Sequence, residues 1–501
     1  MKLETLNLDS AKKLAECRIL EISKGCEIGK CSGKTYFVSN EGKDSNDGLS
    51  PESPWKTTEK VSSASLEKGD FVLFRRGDVF RGQISACAGV TYSAYGEGKK
   101  PCVYGWKENL ADPKLWELYD PEANIWKYTD KIYDCGTLVF NEGEKHSLKH
   151  IPSFIGGKYV CREDESREFI MQEEMTGNLD IYWHTDELTT YSPVKDEDFP
   201  IPALTYEYNP MGDLFLRCDN GNPGEAFASI EAVPKLCGIR TFGQPDITIS
   251  NITFKYIGIH GVAAGGKSVK NLRVEYCDFG WIGGTIQNYF GLDPNYPEGG
   301  RGTVTRYGNG VEIYGGCDGY TVSNCYFYEI YDAGATHQVT TNGEKYVMEN
   351  IVYENNVFDK CVYGIEYFLD MTEGDTESYM KKVKMQGNIF LNGGYGWGQQ
   401  RHNKHTPALI KGWSYYNAAE DFEISDNIFC RSAYRMVHLV AERQEYCPKM
   451  SRNVYIQDLG GMIGQYGGKE QGEPPVLTFD KNAETTIKDT LGEIDPTVCT
   501  L

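Results

Sequence analysis

The 501-residue sequence lacks the features of several common protein classes. No apolar stretch approaches the roughly 18 residues of a membrane-spanning helix, and the N-terminus has no apolar core of signal-peptide length. Basic residues are scarce, 51 against 72 acidic ones, which gives a net charge of −21. We therefore expect a cytoplasmic protein with neither a membrane partner nor a nucleic-acid partner.

Paired cysteine motifs are also absent. The 16 cysteines are scattered, with no CxxC pair and no spacing typical of metal ligands. Several fall inside apolar repeats, which favours reduced thiols that serve as small core residues over a disulfide framework. The sequence therefore predicts no metal site.

A helical rhythm of 3.6 residues is missing from the centre of the chain, where a different repeat is found. Between Pro245 and Gln457, a short apolar alternation ends in Asn or Asp and Phe, and a glycine-bearing second alternation follows. Alternation is typical of strands with one buried face, and the unequal gaps indicate equal units with loops of variable length. The pattern predicts an all-β solenoid, a parallel β-helix whose coils bury their apolar rows against each other. The recurring phenylalanines are Phe254, Phe279, Phe327, Phe358, Phe390 and Phe429.

Changes of pattern divide the chain into five segments. An amphipathic helix, with Asp9 or Ser10 as its N-cap, is expected to cap the open end of the solenoid. From Trp106 the rhythm gives way to a stretch rich in Trp, Tyr and charge, which predicts an inserted β-rich, sandwich-like lobe. The predicted segments are the cap at 1–34, the first coils at 35–104, the lobe at 105–235, the main β-helix at 236–460 and a tail at 461–501.

The stretch YFVSN-G-D-NDG-SPE-PWKT, followed by KGD-VLFRRGDVFRG, resembles the first turns of right-handed parallel β-helix carbohydrate-active enzymes. That group includes glycoside hydrolases, polysaccharide lyases and epimerases. Together with the repeats, the resemblance covers residues 35–104 and 236–460, and it implies a right-handed β-helix that acts on carbohydrate. The Asn-Thr-Asp and Gly-His-Gly patterns of polygalacturonases and the Trp-Ile-Asp-His pattern of pectate lyases are absent, which argues against pectin as the substrate.

Carboxylates recur on one outward row of the second alternation. When its apolar neighbours face the core, Glu312 faces outward, and the same parity exposes Thr336 and Glu366 on the following coils. Strands about 4.8 Å apart place the two glutamate backbones about 10 Å apart. Leaning side chains then reach the roughly 6.5–9.5 Å carboxyl separation of inverting glycosidases. Asp332 precedes the intervening strand, and repulsion among three acids is expected to raise at least one pKa and supply a proton donor.

Aromatic, amide and basic side chains accompany these acids. Flat rings stack on pyranose faces, amides and imidazoles bind hydroxyls, and a cationic loop can hold an acidic group of the substrate. The predicted substrate-binding residues are Trp281, Tyr314, His337, Gln338, Tyr367, Trp397, Gln400, Arg401, His402, Arg435 and His438.

Three functions are compatible with this sequence. The leading hypothesis is an inverting glycoside hydrolase without a cofactor, in which Glu312, Asp332 and Glu366 divide the acid and base roles on an oligosaccharide. The resemblance implies that such an enzyme, in the cytoplasm, completes the degradation of imported oligosaccharides. The alternative is a polysaccharide lyase or epimerase, in which Arg401, Lys404 or a histidine abstracts a proton from a uronate and the acids bind Ca²⁺. The third is a non-catalytic carbohydrate-binding solenoid. The sequence leaves the sugar, the linkage and a homo-oligomer open.

Overall fold

The computed structural model describes residues 7–149, 152–155, 158–161, 179–184, 209–290, 303–372, 377–401, 406–412, 419–470 and 472–501. The N-terminal part contains two helices and the strands of the first coils. These are α1 (Leu8–Lys24), β1 (Thr35–Val38), α2 (Thr58–Ser63), β2 (Phe71–Arg75), β3 (Val79–Arg81), β4 (Ile84–Ser85), β5 (Thr91–Tyr95) and β6 (Cys102–Tyr104).

A lobe of short, mostly antiparallel strands interrupts the coils. Its elements are β7 (Trp116–Asp120), β8 (Ile125–Tyr128), β9 (Ile132–Tyr133), β10 (Cys135–Phe140), β11 (Lys145–His146), β12 (Leu148–Lys149), β13 (Pro152–Ile155), β14 (Lys158–Cys161), β15 (Asp180–His184), β16 (Met211–Arg217), α3 (Pro223–Ala226) and β17 (Ile230–Pro234).

The coils then resume and continue almost to the last residue. Their elements are β18 (Ile239–Arg240), β19 (Thr248–Ser250), β20 (Thr253–Ile257), β21 (Val262–Glu275), β22 (Asp278–Ile282), β23 (Thr285–Phe290), β24 (Thr303–Tyr307), β25 (Val311–Ser323), β26 (Tyr326–Ile330), β27 (Ala333–Thr340), β28 (Val347–Glu354), β29 (Val357–Asp359), β30 (Tyr363–Asp370), β31 (Tyr379–Gln386), β32 (Ile389–Gly393), β33 (Ala408–Gly412), β34 (Ala419–Ser425), β35 (Ile428–Ser432), β36 (Arg435–Ala441), β37 (Lys449–Ser451), β38 (Val454–Gln457), β39 (Met462–Gly468), β40 (Leu477–Thr478), α4 (Ala483–Leu491) and β41 (Thr497–Thr500).

Each coil contributes three strands to a stack of parallel strands. Strands β27, β28 and β29 form one coil, and each pairs in parallel with the equivalent strand of the next coil, β30, β31 and β32. Within the described residues, these pairings build one sheet of 18 strands and one of 10. The predicted fold class, an all-β parallel β-helix, is confirmed.

The recurring phenylalanines form one continuous stack in the interior. Neighbouring rings lie almost parallel with centroids 4.8 to 5.4 Å apart. This spacing matches the separation of adjacent parallel strands, so identical residues in register stack ring on ring. The column runs through Phe254, Phe279, Phe327, Phe358, Phe390 and Phe429.

A row of buried asparagines runs beside the phenylalanine stack. The side-chain amide of Asn356 donates to the oxygen of Asn388 at 3.0 Å, Asn388 to Asn427 at 2.9 Å, and Asn427 to Asn453 at 3.0 Å. Asn453 donates in turn to the buried carboxylate of Glu493 at 3.2 Å. Since every amide binds both neighbours, this ladder satisfies polar groups that burial would otherwise make costly.

Helix α1 packs along the side of the solenoid and not across the end of its first coil. Asn7 is its N-cap and forms a reciprocal pair with Ser10, whereas Asp9 or Ser10 was expected. The buried face of the helix, which includes Ala11, Ala15 and Ile22, covers outward apolar residues of the smaller sheet. That sheet offers an apolar outer surface, and this explains the position of the helix. The residues beneath it are Val357, Ile389, Leu391, Cys430, Val454 and Ile456.

The C-terminal residues are part of the solenoid. Strand β39 pairs with β36, β41 pairs with β38, and helix α4 buries Ile487 and Leu491 against the last coil. The tail predicted at 461–501 is therefore replaced by a further coil with a helical cover. Among the residues that the structure describes, no helix is long and apolar enough to cross a membrane.

The lobe has its own core and is fixed to the solenoid by polar contacts. Aromatic and aliphatic residues of β7, β8, β15 and β16 pack together in its interior. At the junction, buried Asp134 pairs with the buried Lys149 ammonium and accepts a hydrogen bond from the Ile286 amide at 2.6 Å. Strand β23, which starts the β23–β24 hairpin, is thereby attached to the lobe.

Candidate active site

One outward row of side chains crosses the coils at the centre of the solenoid. Glu312 lies in β25 between the buried residues Val311 and Ile313, so alternation turns its carboxylate away from the core. It pairs in register with Ala263 of the preceding coil. On the following coils, Thr336, Glu366, Lys411, His438 and Gln465 continue the row.

A cavity of about 640 Å³ opens over this row. This volume falls within the range of roughly 300–1,000 Å³ that small-ligand pockets occupy. All three predicted acids line the cavity. The lining residues are Arg240, Phe242, His260, Ala263, Ala264, Gly265, Thr305, Tyr307, Asn309, Glu312, Tyr314, Asp332, Gln338, Glu366, Phe368, Arg401 and Lys411.

Glu312 is surrounded by neutral hydrogen-bond donors. Its carboxylate accepts hydrogen bonds from Thr336 Oγ1 at 2.6 Å, from Gln338 Nε2 at 3.0 Å and from Asn309 Nδ2. Burial raises the pKa of Glu312, the three donors lower it, the negative charge of Glu366 raises it, and the net shift is upward. Among the described residues, Glu312 forms no ion pair with a basic side chain.

Glu366 lies two coils away and does have a cationic partner. Lys411 Nζ is 2.9 Å from Glu366 Oε1, and both side chains are almost completely buried. The ammonium group also lies 4.0 Å from the centre of the Tyr363 ring. Burial lowers the pKa of Lys411, but the Glu366 charge outweighs this effect and the pKa is raised. Lys411 is therefore a fixed positive charge beside Glu366.

Asp332 forms the second buried ion pair of the site. Its carboxylate contacts Arg401 Nη1 directly. Burial raises the pKa of Asp332 to about 6; the Arg401 charge opposes the rise, whereas the charges of Glu366 and Glu312 add to it. The pKa of Arg401 is raised by the same partner, so the guanidinium stays protonated.

Asn309 connects the acids to the preceding coil. Its backbone N–H donates to His260 Nδ1 at 3.0 Å, its side-chain oxygen accepts from the Ala333 amide at 2.8 Å, and its side-chain NH₂ binds Glu312. Burial lowers the pKa of His260 to about 3, so the imidazole is neutral at physiological pH. The position of the Glu312 carboxylate is thus fixed from two coils.

The structure brings three of the predicted binding residues into the cavity: Tyr314, Gln338 and Arg401. Gln338 Oε1 and Arg401 Nε are buried atoms with no hydrogen-bond partner among the described residues. One is an acceptor and the other a donor, which is the combination that binds a sugar hydroxyl. Tyr314 is 47% exposed and touches Phe368 edge to face, with ring centroids 6.4 Å apart.

His337 and Tyr367 do not reach the cavity, which corrects their predicted role. They are in register on neighbouring coils and both side chains point into the core, where their rings stack 5.5 Å apart. His337 Nδ1 is 2.8 Å from the hydroxyl of Tyr353. Thr336 and Glu366 belong to the outward row, so strand parity turns the next residue on each strand inward.

Three more predicted binding residues lie between the solenoid and the lobe and not in the cavity: Trp281, Trp397 and Gln400. The two indoles are buried in a cluster with Tyr331 and lobe residues, between the solenoid and the lobe. Gln400 binds the lobe through the Ser147 carbonyl at 2.8 Å and the Lys149 amide at 3.1 Å. These side chains fasten the lobe, and they do not form a platform for a sugar.

The motif YGWGQQR has the glycine-bearing pattern of a second alternation, which predicts a strand with outward-facing side chains. The structure has instead a 3-10 turn at Trp397–Gln400, inside an insertion. The strand that continues the sheet is β33, ALIKG, which places Lys411 opposite Glu366. Alternation in ALIKG is the signal that would have identified Lys411.

The remaining predicted binding residues lie beyond the cavity or outside the described residues. His438 follows Lys411 in the outward row, and its Nδ1 is 2.5 Å from Arg435 Nη1. Neither lines the cavity. His402, together with Lys404, lies outside the described residues. Among those described, no group of three or more His, Cys, Asp or Glu side chains is placed to hold a metal ion.

Comparison with known proteins gives one partial sequence match and several structural alignments. No family model matches the chain. A segment of 124 residues is 35% identical to lacto-N-biosidase of Bifidobacterium longum subsp. longum, and the match covers 22% of this chain and 8% of that protein. The chain thus spans less than a tenth of the length of this curated relative.

Two solved structures align with most of the chain at low identity. The complex of XylC with xylose aligns over 89% of this chain and 73% of its own, at 12% identity and a TM-score of 0.42. The GH136 lacto-N-biosidase from Eubacterium ramulus aligns over 98% and 70%, at 12% identity and a TM-score of 0.38. The fold assignment rests on the parallel registers of the chain itself.

Proposed function

We propose that the protein is an inverting glycoside hydrolase acting on an oligosaccharide, with Glu312 as general acid and Glu366 as general base. The observation that carries this proposal is the contrast between two glutamates in one cavity. Neutral donors surround Glu312, whereas an ammonium ion neutralises Glu366. Environments that separate two carboxyl groups in this way assign the acid and the base.

The protonation states follow from these contacts. A general acid must carry a proton near neutral pH, and the raised pKa of Glu312 supports this role. A general base must accept a proton, and the Lys411 ammonium group lies 2.9 Å from the Glu366 carboxylate as its ion-pair partner. Glu366 would then take a proton from the water that attacks the anomeric carbon.

The separation of the two strands supports inversion. Glu312 and Glu366 are two strands apart in one row, which corresponds to roughly 10 Å between their backbones. Inverting enzymes keep their carboxyl groups roughly 6.5–9.5 Å apart to admit a water, whereas retaining enzymes hold them roughly 5–5.5 Å apart.

Asp332 and Arg401 complete the site as binding groups. Their ion pair is buried at the cavity wall, so Arg401 remains charged, and its partnerless Nε can donate to a sugar hydroxyl. Gln338 Oε1 can accept from another hydroxyl. Burial raises the pKa of Asp332, the third predicted acid, to about 6. Its carboxyl group takes no proton from the substrate or the water in this mechanism, and it contributes to the electrostatic potential around the reacting carbon.

A lyase or epimerase is the second candidate, and the ion pairs weigh against it. Such a reaction needs an unprotonated base, but Arg401 and Lys411 are protonated partners of Asp332 and Glu366. The Nδ1 atom of His260, the histidine that lines the cavity, already accepts a hydrogen bond from the Asn309 amide, and Lys404 lies outside the described residues. The same pairing engages two of the three carboxylates that would bind Ca²⁺. The geometry therefore supports hydrolysis better.

The first test is incubation of the protein with a panel of neutral and uronic-acid oligosaccharides, with and without a chelator. The panel includes aryl glycosides of lacto-N-biose and of xylose, the sugars in the names of the similar proteins. New reducing ends without ultraviolet absorbance, unaffected by the chelator, are expected. Ultraviolet absorbance that the chelator abolishes would establish a lyase, and unchanged sugars that bind would establish a non-catalytic solenoid.

The stereochemistry is tested on the first substrate that is cleaved. Proton NMR at early times resolves the anomer released before mutarotation. The opposite anomeric configuration is expected for the assigned spacing of Glu312 and Glu366. Retention would overturn the general-base role of Glu366 and make it a nucleophile.

A further inference from the structure

The cavity extends beyond Glu312, on the side away from Glu366, over a floor without large side chains. In the coil before Glu312, the residues in register with Glu312 and Tyr314 are Ala263 and Gly265. The next coil outward places Arg240 in register with Ala263. A gap one strand wide therefore separates Arg240 from Glu312, and all these residues line the cavity.

Two exposed aromatic rings border this gap. Phe242 is 54% exposed and Tyr314 is 47% exposed, although both are large and one is wholly apolar. The backbone next to Phe242 lies against the floor, since a Cβ on Gly243 would be 2.8 Å from the Gly265 carbonyl oxygen. Tyr314 belongs to the strand on the other side of Gly265. Phe242 and Tyr314 thus lie on opposite sides of strand β21, which carries only small side chains at Ala263 and Gly265. Their backbones are about two strand spacings, or roughly 10 Å, apart.

The backbone at Phe242 is unsuited to phenylalanine. Phe242 and Gly243 have φ of +51° and +71°, and Gln244 N–H closes the turn on the Thr241 carbonyl at 2.9 Å. Two consecutive positive φ values define the tight turn that favours Asn-Gly. Tyr256, Tyr276 and Trp281 also have positive φ, but none of them is exposed, so the exposed ring beside the cavity is the feature that sets Phe242 apart.

Arg240 supports the Phe242 ring. Its guanidinium carbon lies 4.7 Å from the ring centroid, a cation–π contact that fixes the ring beside the cavity. Guanidinium N–H groups and aromatic faces are the two kinds of group that bind the hydroxyl edge and the C–H face of a pyranose. The gap therefore has a floor for one ring, aromatic borders and a polar donor.

We propose that Phe242, Tyr314 and Arg240 form a subsite for one pyranose ring, placed over Ala263 and Gly265. Its designation as the leaving-group subsite rests on the proposed function: if Glu312 is the acid, it protonates the glycosidic oxygen, and the departing sugar lies on its side away from Glu366. The chemical class of ligand is a neutral sugar at the reducing side of the scissile bond.

A binding experiment tests the subsite independently of catalysis. Saturation-transfer NMR is recorded with free glucose, galactose, N-acetylglucosamine and xylose. The variants are Phe242→Asn, which suits the turn and so preserves the fold, and Tyr314→Ala; Tyr119→Ala, an exposed tyrosine of the lobe, is the matched control. Binding of at least one sugar is expected to weaken on the order of tenfold in both cavity variants and to persist in the control. Equal binding in Phe242→Asn and wild type, or no transfer to any sugar, would overturn the subsite.

Kinetics distinguish this proposal from the proposed function. The oligosaccharide that the wild type cleaves is compared with the glycosyl fluoride of the same glycone, whose leaving group is too small to occupy the subsite. Phe242→Asn is expected to lower kcat/KM on the order of tenfold for the oligosaccharide and to leave the fluoride within about twofold. Equal losses on both substrates would refute the subsite while hydrolysis stands. Sugar binding without hydrolysis by the wild type would refute the hydrolase while the subsite stands.

Discussion

At the scale of single residues, strand parity decides which side chains can take part in chemistry. Alternation around Glu312 and Glu366 identified both acids from sequence, because one apolar neighbour on each side fixes the direction of the carboxylate. The same rule excludes His337 and Tyr367, each adjacent to a residue of the outward row. Within a strand, closeness in sequence to a site residue does not predict that a side chain faces the cavity, whereas strand parity does.

The two acid roles predict different responses to substitution. Glu366→Gln is expected to reduce the rate at least ~10²-fold on every substrate, since the water loses its base. Glu312→Gln is expected to be equally severe with a sugar leaving group and mild with a dinitrophenyl leaving group, which departs without protonation. Because the pKa of Glu312 is raised, the wild-type rate falls as pH rises through that pKa, and this limb disappears in Glu312→Gln.

The control for both variants is Glu349→Gln, which alters a glutamate on strand β28 whose partner is Lys381, 3.4 Å away. Its kcat/KM and its circular dichroism spectrum are expected to match those of the wild type. Near-wild-type turnover by Glu366→Gln would remove Glu366 from the mechanism.

The buried imidazole of His337 predicts a pH-dependent stability. Burial lowers its pKa from about 6.5 to about 3, so its stabilising contribution is present above pH 6.5 and is lost as pH falls toward 3. At pH 5 the wild type loses about 2 kcal/mol from this group relative to pH 8. His337→Phe is expected to lack this loss, as measured by urea unfolding at both pH values. The same pH dependence in variant and wild type would contradict the assignment.

At the scale of elements, the repeats were predictable and their insertions were not. Equivalent strands bury equivalent residues, so Phe358 and Phe390 could be aligned from the recurring sequence pattern alone. The insertion that contains Trp397 has an apolar, glycine-rich composition like that of a coil, because it packs against the lobe instead of facing water. A sequence pattern indicates that a segment is buried, but it does not indicate which part of the protein covers that segment.

The asparagine ladder is the element whose loss should be most costly to the solenoid. Asn388 is completely buried and bonds to Asn356, to Asn427 and, at 3.0 Å, to the Tyr353 carbonyl. Asn388→Ala leaves these partners unsatisfied and is expected to lower the free energy of unfolding by about 2–4 kcal/mol. Denaturant unfolding measures the loss, and Asn220→Ala in an exposed turn, expected to change stability by less than about 0.5 kcal/mol, is the control. Similar stabilities for the two variants would show that the ladder is dispensable.

At the scale of the whole molecule, the lobe positions one wall of the cavity without entering it. Among the described residues, the cavity lining includes no side chain of the lobe, but it includes Thr305 and Tyr307 of the β23–β24 hairpin. Between these two, Arg306 binds the Gly136 carbonyl of the lobe at 3.1 Å. Composition predicted a lobe, whereas this role depends on a contact between residues 170 positions apart, which no local sequence pattern can indicate.

The buried ion pair of Asp134 and Lys149 predicts a coupled contribution to the stability of the protein. Asp134→Leu leaves the buried Lys149 ammonium without its counter-ion and is expected to destabilise the protein by about 3–5 kcal/mol. Adding Lys149→Met to that variant is expected to restore most of the stability, because two apolar side chains then replace two charges. Thermal unfolding of the wild type, both single variants and the double variant completes the cycle. Additive losses would refute the coupling.

The asparagine ladder has one further consequence, for the length of the molecule. Every ladder amide both accepts and donates, so each coil from Asn356 to Asn453 presents the same interface to the next one. Glu493 only accepts when ionised, and it therefore terminates the series. A duplicated central coil would therefore continue the ladder, because its asparagine could accept from one neighbour and donate to the next. A coil added after Glu493 would find no side-chain donor there for its own asparagine oxygen.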